Sequence, residues 1–64
     1  MKQDKAKNYI VSEFLRLAEN ERTQTNAAVM ALKYSTPDSK YYFKYRGDNY
    51  QAIMGWLSPH VLKK

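Results

Sequence analysis

The residues of this 64-residue chain best suited to chemistry lie in Lys40-Tyr41-Tyr42-Phe43-Lys44-Tyr45-Arg46. Three cations and four aromatics share the stretch, and no acid interrupts it. In an extended chain successive side chains point to opposite sides, so Tyr41, Phe43 and Tyr45 fall together and Lys40, Tyr42, Lys44 and Arg46 fall together. The first set reads as a wall of the core. The second sets one aromatic among cations, the chemistry of a surface that meets phosphates and stacked bases. Lys33 joins that basic side if the preceding apolar run pairs with this one as a strand. The candidate nucleic-acid-binding residues are therefore Lys33, Lys40, Tyr42, Lys44 and Arg46. Tyr and Arg are also enriched at the hot spots of protein interfaces, so a small protein-binding adaptor or inhibitor using the same face is the alternative. A third reading makes this an ordinary exposed sheet face.

Catalytic chemistry is not legible. His60 is the only His and lies beside Pro59; there is no Cys. A structural zinc site needs about four N or S ligands, which this chain does not offer. Glu13 falls on the polar side of a helix and Asp48 reads as a helix cap. No pair of carboxylates falls on one helical face beside a likely cleft, and there is no Gly-rich phosphate loop or nucleophile–His–acid set. The expectation is a non-enzymatic protein with no metal and no cofactor. Arg46-Gly47-Asp48 spells a cell-adhesion tripeptide, but local structure accounts for each residue: Arg46 ends a strand, Gly47 turns the chain and Asp48 caps a helix.

The charge supports an anionic partner. The net charge is +5. Up to Arg22, five basic residues face four acidic ones; from Thr23 onward, six face two, so the excess travels with the aromatic stretch. Nucleic acid is the usual partner of such an excess. Met1-Lys2-Gln3-Asp4-Lys5 has no apolar run behind it, so neither a secretory signal nor a membrane partner is expected and the cytoplasm is the default location. Small size and the lack of catalytic residues suit an accessory protein of a phage or mobile element.

These residues need elements to position them. Asp4 can cap a helix whose first turn is Lys5-Ala6-Lys7. Ile10, Phe14 and Leu17, with Val11, Leu15 and Ala18 alongside, form one broad apolar stripe. The stripe stops after Ala18, and the helix is expected to end near Glu21. Residues 27–34, Ala-Ala-Val-Met-Ala-Leu-Lys-Tyr, fit a strand with Ala28, Met30, Leu32 and Tyr34 on one face. They lead through Ser35-Thr36-Pro37-Asp38-Ser39, a strong turn cluster, into the aromatic stretch, and two apolar runs so joined read as a β-hairpin. Asp48 with Gln51 three residues later resembles a capping box. A last helix follows, with Tyr50, Ile53, Met54 and Leu57 as its seam and Ser58-Pro59 as its stop.

The expected fold is a small single α+β domain spanning residues 1–64, helix–β-hairpin–helix with both helices on one face of the hairpin; residues 1–4 and 63–64 are expected to fray. The alternative is mostly α, with residues 24–35 as a second helix and a short extended segment after it. Ile10, Phe14, Leu17, Phe43, Ile53 and Leu57 are the expected core. A homodimer is favoured over a monomer, because a two-stranded sheet leaves open edges and Gly55-Trp56 offers a second contact surface.

Overall fold

The stripe on the first helix buries along one of its two lines: Ile10 and Phe14 are fully buried and Val11 and Leu17 half-buried, while Leu15 and Ala18 are exposed. The structure, a computed structural model, describes residues 1–62, so Lys63 and Lys64 lie outside the described residues. Helix α1 (Gln3–Leu15) buries Ala6, Ile10 and Phe14, with Val11 packed beside them. It begins before Lys5: Lys2 is the N-cap, makes no side-chain cap bond, and leaves Asp4 in the first turn. There its carboxylate faces the positive end of the helix dipole. The helix also ends short of Glu21. The Leu17 amide donates to the Phe14 carbonyl at 3.1 Å in a tightened last turn, Ala18 is extended (ψ 150°), and Glu19–Glu21 forms a 3-10 turn. Beyond the apolar stripe no packing holds the helix, so the chain leaves it.

Residues 27–34 are helix, not strand. They belong to α2 (Gln24–Tyr34), whose N-cap Thr23 accepts from the Asn26 amide at 3.1 Å. Ala27, Ala31 and Tyr34 are buried. This spacing of four and three is the helical period, and Ala, Met and Leu are good helix formers. With α2 formed, the aromatic stretch has no strand to pair with. No strand occurs among the described residues, and the α+β hairpin fold is overturned in favour of a small all-helical domain of three helices. The hairpin face that was to carry both helices is likewise absent, and so are the sheet edges that argued for a dimer.

Helix α3 (Asn49–Leu57) buries Ile53 and Leu57. Asp48 caps it as its chemistry predicts, accepting from the Tyr50 amide at 2.9 Å. Ser58–His60 then forms a 3-10 turn with Pro59 near its start, and Val61 packs against the core. The Leu62 amide donates to the Arg22 carbonyl at 2.8 Å, tying the end of the described chain to the link between α1 and α2. Helix α2 packs most extensively on α3, and α3 also packs on α1. Of the six expected core residues, Ile10, Phe14, Phe43, Ile53 and Leu57 are fully buried and Leu17 is half-buried. No helix among the described residues is long and apolar enough to cross a membrane.

Candidate nucleic-acid interface

The residues of interest sit on the loop of residues 35–48, which joins α2 to α3. A loop lacks the internal bonds of a helix, so side chains and turns must fix it. At its start the Ser39 hydroxyl donates to the Tyr34 carbonyl at 3.0 Å, and the Tyr42 amide donates to the Ser39 carbonyl at 3.3 Å. The Tyr41 ring stacks on Tyr9 of α1, with centroids 5.1 Å apart and planes 7° apart, and tilts against Tyr34 of α2 at 5.1 Å. Phe43 is fully buried, 4.9 Å from the Trp56 ring. The Phe43 carbonyl accepts from the Asn49 side-chain amide at 2.9 Å. The alternation seen in the sequence survives only in part: Phe43 is fully buried and Lys40, Lys44 and Arg46 are exposed, whereas Tyr41 and Tyr42 are both half-buried and Tyr45 is exposed.

Tyr34 joins three parts of the molecule. Its hydroxyl donates to Oε2 of Glu13 on α1 at 3.2 Å, and its ring meets Tyr41 of the loop. Burial, with the Glu13 carboxylate adding to it, pushes the Tyr34 hydroxyl up to about 12 from its ordinary 10.0. A neutral phenol is the form the fold selects.

The structure brings together three of the five candidate residues. Tyr42, Lys44 and Arg46 line a shallow, open depression of about 350 Å³. The fourth lining residue is Tyr45, which the alternation had put in the core wall. Tyr45 is instead 43% exposed, with its ring edge-on to Phe43 at 6.2 Å. A Cβ at Gly47 would come within 3.1 Å of the Tyr45 ring, so the glycine leaves the ring room. Lys40 lies apart, its Nζ 4.9 Å from the Tyr41 centroid, a cation–π contact on the outside of the aromatic stack. Lys33 is not on this face. It sits near the end of α2, its Nζ 5.4 Å from the Tyr34 centroid, in a depression that also contains Glu21. Its assignment to the basic face rested on strand pairing and falls with the hairpin.

Elsewhere, His60 is half-buried and lines a depression with Glu19 and Arg22. Among the described residues no group of three or more His, Cys, Asp or Glu could hold a metal ion. Two cations and two tyrosines around one open depression, on a loop anchored by buried aromatics, can grip a phosphate and stack a base. No family model, no curated protein and no solved structure matches this chain.

Proposed function

We propose that the protein is a small non-enzymatic nucleic-acid-binding accessory protein of the cytoplasm, taking single-stranded or distorted nucleic acid on the loop before α3. Lys44 and Arg46 contact phosphates, Tyr42 and Tyr45 stack on bases, and Lys40 extends the cationic track toward α1. The observation that carries the reading is the depression lined by Tyr42, Lys44, Tyr45 and Arg46, which mixes cations and rings with no acid. The hairpin face on which the sequence had placed these residues is not part of it, because the described residues contain no strand. Single strands fit better, since stacking on a ring needs a base that has left the duplex.

A salt titration tests this, using labelled single strand and labelled duplex with wild type, Lys44→Ala and Tyr42→Ala. Two or three phosphate contacts at about 0.7 each give a log–log slope of about −1.4 to −2 on single strands. Lys44→Ala lowers the magnitude of the slope by about 0.7. Tyr42→Ala weakens binding by about 1–3 kcal/mol with the slope unchanged, because stacking releases no counterion. Absence of wild-type binding to either probe below about 50 mM salt, where screening is weakest, overturns the reading. A stoichiometric protein partner that survives nuclease and depends on Tyr42 would favour the adaptor reading instead.

A further inference from the structure

Beside the loop, helix α1 carries a second group of rings and cations. Tyr9 lies in the middle of α1 and is 43% exposed. Its ring stacks on Tyr41 with planes 7° apart, which covers one face and leaves ring surface open to solvent. Covering Tyr41 needs an apolar side chain but not an open aromatic face. Ser12, Glu13 and Arg16 follow Tyr9 at three, four and seven residues, so all four share one side of the helix and its C-cap. With Tyr41 they line a depression of about 380 Å³.

Glu13 is the one acid in that lining, and both its oxygens are engaged. Oε2 accepts from the Tyr34 hydroxyl at 3.2 Å, and Oε1 lies 3.7 Å from Nη1 of Arg16. An exposed ion pair of this kind holds its arginine weakly. The Arg16 side chain is 81% exposed and has further N–H donors to offer. Lys40, over the Tyr41 ring, adds a second cation, so cations outnumber the acid. The two depressions also adjoin. Tyr41 lines this one and Tyr42 the one on the loop, and consecutive Cα atoms are about 3.8 Å apart.

We infer that a single strand bound on the loop continues over the Tyr9–Tyr41 stack onto α1, where a second base stacks on Tyr9 and Arg16 and Ser12 take a phosphate. The inference rests on the nucleic-acid reading of the loop and adds to it a second stacking position, built on a helix. Once the loop holds one part of the strand, the next nucleotides meet α1 at high effective concentration, so two weak positions act as one stronger site. Rings need no particular base to stack on, so the track is tolerant of sequence.

Fluorescence anisotropy with labelled oligothymidylates tests it, in lengths from about 2 to about 12 nucleotides, which span the low end of single-strand site sizes. Wild-type affinity should rise about 10-fold, beyond the statistical gain of added registers, once the strand is long enough to reach Tyr9. Arg16→Ala should lower the magnitude of the salt slope by about 0.7 on long strands and leave it unchanged on short ones. Tyr9→Leu keeps an apolar cover on Tyr41 without a ring, and should weaken long strands about 10-fold more than short ones. Tyr9→Phe keeps the ring and should show no such difference. An equal loss at both lengths with Tyr9→Leu makes Tyr9 an anchor of the loop alone and overturns the inference. A long-strand salt slope indifferent to Arg16→Ala does the same, and this arm still decides if Tyr9→Leu fails to fold, because the Arg16 side chain lies in solvent. Wild type that binds all lengths alike overturns this inference and leaves the loop reading standing. Wild type that binds no length overturns both.

Discussion

Helix α1 and the loop of residues 35–48 each commit one phenylalanine to the core, Phe14 and Phe43, and both side chains are fully buried. They are held there by different means. In α1 the backbone satisfies its own hydrogen bonds, and Ala6, Ile10 and Phe14 bury as one row. The loop has no such ladder. Its position comes from Tyr41 against Tyr9 and Tyr34, Phe43 against Trp56, and the Asn49 amide on the Phe43 carbonyl. A helix persists through the loss of one contact, because its neighbours in the row remain. A loop held by separate anchors loses its local order when one anchor goes. The proposed site lies beside those anchors and Gly47, so its geometry depends on side-chain packing and not on secondary structure.

The largest expected effect comes from removing each phenylalanine. Phe14→Ala and Phe43→Ala should each cost about 3–5 kcal/mol, a large part of the stability of a small domain. Urea melts measure the loss, and hydrogen exchange separates the two regions. Phe43→Ala should speed exchange at residues 40–46 while α1, α2 and α3 keep their relative protection. If Phe43→Ala instead stays within about 0.5 kcal/mol of wild type, the loop is not anchored there and the contrast fails.

Tyr34→Phe probes the seam between the two regions. It removes the hydroxyl that donates to Glu13 and should cost about 1–2 kcal/mol near neutral pH. The sign of its pH dependence follows from the raised value. The phenol ionises near 10 in the unfolded chain and near 12 in the fold, so its contribution is fully present below pH 10 and is lost as pH rises through about 12. Denaturant melts across that window should fall more steeply for wild type than for Tyr34→Phe. Equal slopes would mean that Tyr34 is not held neutral by the fold.

The smallest effect should come from a position that neither region touches. A Cβ on Gly55 would meet nothing within 4 Å. Gly55→Ala should therefore stabilise α3 by about 0.5–1 kcal/mol through helix preference alone. A thermal melt reads the gain. A loss in its place would show that the exposed side of Gly55 is in contact with another molecule.

Much of this organisation is fixed by local sequence. The stripe of Ile10 and Phe14, the seam of Ile53 and Leu57, the Asp48 cap and the Ser58-Pro59 stop each follow from spacing or from one residue's chemistry. The inward turn of Phe43 and the outward turn of Lys44 were also legible, because any extended segment crossing a core alternates. Two matters needed the tertiary structure. Residues 27–34 carry apolar side chains at both periods: Ala28, Met30, Leu32 and Tyr34 for a strand, Ala27, Ala31 and Tyr34 for a helix. Packing of α2 on α3 chooses the second and leaves Val29 and Leu32 outside. That choice then decides the aromatic stretch, since a strand exists only with a neighbour to bond to. It also separates Lys33 from Lys44 and Arg46 and brings Tyr45 to them. A contact between distant segments is set by the whole fold, and no local pattern of residues encodes it.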